Sequence, residues 1–300
     1  MLKPVKNAQR RTRLVDMGLV RVQGADAVRF LQGQVSNDVT RLAAEKSVLA
    51  GLHNPQGRTI ALLRLVLVAS DEILAVVPRE LAASVAARLG KFVLRAKAKI
   101  ADVSSEWAIT AVMDGFAEVP AGETRRDDQG LTWVCVGPSR WLVLARADQA
   151  DTTGRSEPFD ASEWRALDIA AGLPQVYAVT SEAFVAQMLN LDLVDGIAFD
   201  KGCYTGQEVI ARAHYRGKVK RRMQRFRTRK PIRLAAGDAG TLSDGRNFKV
   251  VDAVQLSDGR CEFLAVATFG EAVDDAPEPA PARDQAVDAE QLTLPYPLPT

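Results

Sequence analysis

Cysteine is scarce in this chain, and histidine scarcer still. Its 300 residues hold three cysteines, Cys135, Cys203 and Cys261, and two histidines, His53 and His214. Thiols so far apart and odd in number form neither a disulfide framework nor a CxxC metal knuckle, and they suit a reducing cytoplasm. Two histidines argue against a histidine-rich metal site and a Ser-His-Asp triad. Neither a G-x-G-x-x-G run nor a Walker sequence is present, so nucleotide binding by those devices is not indicated. The most apolar run, Ile60 to Ala69, is broken by Arg64 and too short to cross a bilayer, so a soluble protein with no membrane partner is expected. With a net charge of +2, no global field drives the chain onto nucleic acid or membrane. The basic stretch Met1 to Arg13 lacks the apolar core of a secretory signal. It reads as a frayed soluble tail, with an organellar transit peptide as the alternative on charge alone.

What is present reads as α+β. Gly24 to Val35 has apolar residues near helical spacing. Thr59 to Ala69 and Ile73 to Val77 read as strands joined at Ser70-Asp71. Pro78 opens a helix to about Leu89, and Phe92 to Val103 returns as strand. Trp107 to Met113, Leu131 to Val136 and Trp141 to Ala145 add strands around a polar loop, Gly122 to Gly130. Ser162 to Ala171 is a short helix stopped by Gly172 and Pro174, and Thr180 to Leu189 is read as another. From Val219 the pattern turns to short strands with hairpin signals at Asp244-Gly245 and Asp258-Gly259, as in a compact barrel. Glu271 to Glu290 has linker composition, and Leu292 to Pro299 reads as a returning edge strand.

The most informative stretch is Lys201-Gly-Cys-Tyr-Thr-Gly-Gln-Glu208. Thr205 and Glu208 have capping-box spacing, and Tyr204 and Val209 fall at the positions of a hydrophobic staple, so a helix is expected to start at Gly206. Cys203 lies just before it. There the helix dipole and the Lys201 ammonium favour the thiolate, while Asp200 and Glu208 oppose it. The plain alternative is a small buried cysteine in a tight turn.

A second feature follows. Between Val209 and Gly237 there is no acidic residue, while Arg212, Arg216, Lys218, Lys220, Arg221, Arg222, Arg225, Arg227, Arg229, Lys230 and Arg233 lie within it. Such a strip is a candidate for binding phosphate or carboxylate. It reads equally as a solvated strand face whose countercharges come from elsewhere in the fold. Aromatic interleaving is thin, with only Tyr215 and Phe226. Trp164, on the helix before Gly172, suits stacking on a flat heterocycle, though a lone tryptophan is more often core.

The run from Leu189 to Arg212, continuing through His214-Tyr-Arg-Gly217, resembles the signature of the YgfZ family. These are folate-binding proteins implicated in maturation and repair of iron–sulfur enzymes, and described in bacteria as tRNA-modifying. Gly24-Ala-Asp-Ala, Phe30-Leu-Gln-Gly-Gln and Leu292 to Pro299 are similar to the family's N-terminal segment and closing strand. The resemblance implies the fold of the glycine-cleavage T-protein, a tetrahydrofolate-dependent aminomethyltransferase: a three-domain α+β clover-leaf with a small C-terminal β-barrel. On this chain it implies a folate-binding region over 1–223 with a ferredoxin-like part at about 46–104, a barrel over 224–270, a linker over 271–290 and an edge strand over 291–300.

Carried over residue by residue, the family's functional thiol falls on Cys203, with Lys201, Tyr204, Gln207 and Glu208 beside it. Trp164 matches a folate-contacting tryptophan, Met17 stands where a second aromatic belongs, and Gly202, Gly206 and Arg212 complete the cofactor-binding set. No metal ligands are implied. The T-protein's pterin-binding glutamate falls on Ala170, and where its catalytic aspartate belongs, Ile60 to Val68 carries only Arg64.

The resemblance thus implies a cytoplasmic, monomeric accessory factor. It would bind tetrahydrofolate or a derivative and assist cluster assembly or repair in iron–sulfur client enzymes or cluster carriers. Two alternatives remain. One is a tetrahydrofolate-dependent one-carbon transferase, which the missing carboxylate opposes. The other is an RNA-binding module using Arg221, Arg222 and Arg225 of the basic strip.

Overall fold

The computed structural model describes residues 9–113, 119–152, 157–217, 219–268 and 286–299. Most of the basic N-terminal segment (1–8), Lys218 of the strip and most of the expected linker (271–285) lie outside the described residues. The chain divides into two compact units. Met1–His53, Ala61–Ala161 and Asp195–Thr205 form the first; Asn54–Ile60, Ser162–Val194 and Gly206–Thr300 form the second.

The first unit is built on two sheets. Its elements begin with β1 (Arg10–Arg13), β2 (Met17–Gln23), α1 (Ala27–Gln32), β3 (Val48–His53), β4 (Thr59–Ala69, all but its first two residues), β5 (Glu72–Pro78), α2 (Arg79–Gly90) and β6 (Lys99–Asp102). They continue with β7 (Trp107–Met113), β8 (Thr124–Arg126), β9 (Thr132–Gly137), β10 (Arg140–Arg146) and the two-residue β11 (Glu157–Pro158). The strand orders are β3-β4-β5-β2-β6 and β11-β1-β7-β10-β9-β8. β4 and β5 form the expected hairpin, with Leu65 opposite Ala75. Helix α2 buries Leu81, Ala82, Val85 and Leu89, one helical face. It lies so close to β2 that a Cβ on Gly18 would fall 3.0 Å from the Arg79 backbone, an approach that only glycine allows.

Two local expectations fail here. Phe92 to Val103 is strand only over Lys99–Asp102. Before it, Leu94 has a φ of 40° and is 90% exposed, which no ladder accommodates. The polar stretch 122–130 contains strand β8, because buried Thr124 pairs with Val134 and donates its hydroxyl to the Ala44 carbonyl at 2.7 Å.

The second unit contains α3 (Ala161–Ala170, all but its first residue), α4 (Gln207–Tyr215) and strands β12 (Arg221–Thr228), β13 (Ala239–Thr241), β14 (Asn247–Gln255), β15 (Cys261–Thr268) and β16 (Ala289–Leu292). The strands form one sheet in the order β13-β14-β15-β12-β16. Its turns at Gly245 and Gly259 have φ of 87° and 81°, the backbone that Asp-Gly pairs favour. Phe226 and Phe263 stack at 5.4 Å in the core, beside Phe248. The Val287 N–H donates to the Thr241 carbonyl at 2.8 Å, and a parallel bridge joins Leu242 to Val287.

Helix α3 stops at Gly172, whose φ of 63° suits glycine. The Tyr296 hydroxyl donates to the Gly172 carbonyl at 2.7 Å and accepts from Asn190 Nδ2 at 3.3 Å, docking the C-terminal segment there. The helix expected over Thr180–Leu189 is instead two 3-10 turns, Ala178–Thr180 and Ala186–Leu189. The backbone between them is committed elsewhere: Thr59 N–H donates to Phe184 O at 2.7 Å, and Glu182 N–H donates to Thr59 O at 2.8 Å.

Candidate functional site

The motif Lys201–Glu208 spans the point where the chain passes from the first unit to the second, at Thr205/Gly206. In the first unit, Cys203 is exposed and Cys135 buried; Cys261, in the second, is buried as well. Lys201 does not behave as a free surface cation. Its Nζ donates to the carbonyls of Gln32, Val35 and Asn37 at 2.7, 2.7 and 2.8 Å. Burial pushes this ammonium down to about 8, with Asp38 opposing. Nζ also lies 5.1 Å from the centroid of the Tyr204 ring, a cation–π distance. Tyr204 is buried, which raises its phenol to about 12. His53 packs on it at 6.3 Å between centroids. Burial lowers His53 to about 3, so it is neutral at pH 7, and neither ring nitrogen has a hydrogen-bond partner among the described residues. A Cβ on Gly51 would fall 2.3 Å from His53 Nε2, so glycine makes room for the imidazole.

In the second unit, helix α4 begins at Gln207, one residue later than the spacing predicts. Its N-cap is Gly206 in the left-handed region (φ 85°), with no side-chain cap bond, so the capping box of Thr205 and Glu208 does not form. Glycine takes this conformation without the Cβ penalty that any other residue would bear. The turn Asn54–Gly57 lies on the first turn of α4: a Cβ on Gly57 would fall 3.0 Å from Val209 Cβ. Asn54 Nδ2 donates to Glu182 Oε2 at 2.7 Å, which fixes that turn. Glu208, Val209 and Arg212 are exposed on α4 and Arg216 just after it, and Ile210 is the one buried residue of the helix.

The remaining predicted residues are placed as follows. Trp164 is on α3 in the second unit and is 6% exposed. Met17 opens β2 in the first unit, half-buried and opposite Pro78. Gly202 is exposed, and nothing lies within 4 Å of a Cβ placed on it. Lys201, Gly202, Cys203, Tyr204 and Met17 therefore belong to one unit, and Trp164, Gly206, Gln207, Glu208 and Arg212 to the other. Sequence reasoning missed Ser36, Asn37 and His53, whose only signal is their nearness to Phe30-Leu-Gln-Gly-Gln and to the Asn54 turn.

Part of the basic strip is neutralised by distant carboxylates. Arg222 binds Asp192 through two bonds of 2.8 and 2.7 Å, with the side chains 6% and 8% exposed. Arg225 and Arg227 share Glu262, at 2.6 and 2.9 Å. Arg229 pairs with Asp288 at 3.3 Å. Those four positions are the solvated-strand alternative realised, with countercharges supplied from other segments.

Chemically, the first unit presents a lone thiol. Among the described residues no three His, Cys, Asp or Glu side chains are placed to hold a metal ion. No helix among them is long and apolar enough to cross a membrane.

The fold defines the class first. The aminomethyltransferase T of the glycine cleavage system from Bartonella henselae superposes with a TM-score of 0.70 over 87% of this chain and 78% of that one, at 16% identity. The chain therefore has the T-protein-like α+β fold. No family model matches the sequence. The tRNA-modifying protein YgfZ of Yersinia pseudotuberculosis serotype O:1b (strain IP 31758) is 33% identical over 281 residues, covering 87% of this chain and 85% of that protein. The protein of the same name from Enterobacter sp. (strain 638) is 32% identical, with 86% of each chain covered. The chain belongs to the YgfZ family.

Proposed function

We propose that this chain is a folate-binding protein that assists assembly or repair of iron–sulfur clusters in client enzymes, with Cys203 as its functional thiol. Its bearing on tRNA modification would run through iron–sulfur tRNA-modifying enzymes. The observation that carries the reading is the exposure of Cys203 alone among three thiols, inside the motif by which the sequence resembles the family. One thiol does not hold a cluster by itself, so the remaining ligands to any cluster or iron in transit come from the client or carrier. Lys201, Tyr204, Gln207 and Glu208 flank the thiol in sequence and are assigned to its surroundings.

The fit of a reduced folate rests on two kinds of group. Trp164, although only 6% exposed, is assigned to the heterocycle, and Arg212, an exposed guanidinium, to the carboxylate tail. Met17, Gly202 and Gly206 complete the proposed set. Ala170 supplies no carboxylate for the pterin, so stacking and the tail carry the affinity. The same reading extends to a cytoplasmic monomer and to a three-domain arrangement with a barrel over 224–270; the bridge between Leu242 and Val287, beside the two end strands β13 and β16, supports closure but brings in residues beyond 270.

Two experiments test it. Cys203→Ala is expected to leave iron–sulfur enzyme activity unrestored in a deletion strain; full restoration would sink the thiol's role. Titration of a reduced folate is expected to quench tryptophan fluorescence in wild type and much less in Trp164→Ala. No change in either protein removes folate from the account.

A further inference from the structure

The peptide leading to Cys203 is fastened at nearly every second residue to one short segment, Gln32 to Asn37. Asn37 Nδ2 donates to the Asp195 carbonyl at 2.6 Å and to the Leu49 carbonyl at 2.7 Å. Ser36 Oγ donates to the Gly196 carbonyl at 2.7 Å and accepts from the Gly51 N–H at 2.8 Å. The Ala198 N–H donates to the Ser36 carbonyl at 3.0 Å. Lys201 closes the series with its three carbonyl bonds. Ser36 and Asn37 are both 0% exposed. Asp195 is exposed and Lys201 half-buried, but the series is anchored on the buried, hydrogen-bonded side chains of Ser36 and Asn37, which fix a loop rather than decorate it.

An ammonium has three N–H donors, and Lys201 uses all three on carbonyls, so none remains for a thiol or a ligand. The Gln32 carbonyl belongs to the last residue of α1, where a helix has no backbone donor of its own to offer and a cation is favoured. We infer that Lys201, Ser36 and Asn37 are positioning residues: a clamp that holds the Asp195–Thr205 peptide and so fixes where the Cys203 thiol is presented. Lys201 then acts through hydrogen-bond geometry and not as the thiol's proton donor or countercharge. This rests on reading Cys203 as the functional thiol.

A guanidinium keeps the charge but is planar, and its fork does not match three carbonyls converging on one nitrogen. The charge-conserving variant therefore separates the two roles. Iodoacetamide reads Cys203 alone in the native chain, and thiolate absorbance gives the ionised fraction at each pH. The alkylation rate per thiolate is compared in wild type, Lys201→Met, Lys201→Arg and Asn37→Ala. The clamp predicts that all three variants react faster by about threefold or more as the loop opens. It also predicts that the thiolate midpoint stays within about 0.3 unit of wild type.

If Lys201→Arg behaves as wild type while Lys201→Met moves the midpoint upward, the charge matters and the clamp is wrong. If none of the rates changes, the loop holds itself and the clamp is again wrong. Should Lys201→Met unfold, its buried thiols will react too, and Lys201→Arg with Asn37→Ala decide the matter. No client enzyme enters these measurements. A Cys203→Ala variant that kept client activity would remove the functional reading and leave the clamp result standing.

Discussion

Arg222 shows how a single residue escapes a reading made along the chain. Its neighbours in sequence are basic or neutral, but its partner Asp192 lies thirty positions earlier and shares its burial. Breaking a buried pair strands a charge, so Arg222→Ala is expected to cost about 3–5 kcal/mol in urea unfolding. Arg229, whose pair with Asp288 is 61% and 46% exposed, should lose no more than about 1 kcal/mol on the same change. Equal losses at both sites would refute the distinction. Lys201 escaped for the same reason. Its proximity to Cys203 was legible, but its three acceptors lie more than 160 residues upstream. Thr205 failed because Gly206 took the left-handed cap, a choice that capping-box spacing does not encode.

Among the elements, α3 and β14 meet at a carboxylate. Asp252 follows a register shift in β14, accepts from the Tyr177 hydroxyl at 3.0 Å and stands 3.8 Å from Arg165 of α3. Burial raises it from 3.8 to about 6, while Arg165 and Tyr177 pull it down and Asp168 adds to the rise. A carboxyl raised on folding contributes stability that is fully present below pH 3.8 and lost as pH climbs through about 6. Asp252→Asn is expected to remove a fall on the order of 2–3 kcal/mol between pH 4 and 7 in urea unfolding. An unchanged slope in the variant refutes this. At the other end of α3, a Cβ on Gly172 would meet Leu294 and Tyr296 at 2.7 Å, so Gly172→Ala should lose about 2 kcal/mol through strain and tail displacement. Wild-type stability there would mean that the tail does not dock. The β4–β5 hairpin, α3 with its Gly172 stop and both Asp-Gly turns were legible, because each is set by neighbours in sequence. The false helix over Thr180–Leu189 was not, since the competing partner, Thr59, is remote.

For the whole molecule, the thiols give a direct check. Native protein should react with a thiol reagent at one site per chain and denatured protein at three, since Cys135 and Cys261 are 1% and 0% exposed. A second fast thiol in the native chain would contradict the packing of the core that holds it. The mixed α+β character and the family were readable from the motif. The division into two interleaved units was not, because none of the five crossings between them carries a linker signal.

Those crossings bear on synthesis. Residues 32–37 leave the ribosome early, but the peptide they seat, Asp195–Thr205, is made only after about two thirds of the chain has been polymerised. Until then the first unit is short of one segment, and Ser36 and Asn37 lack some of their native partners. The thiol is thus delivered to its place by the segment that completes the first unit. A product truncated or stalled before Asp195 contains the strands of both sheets of that unit but lacks Cys203.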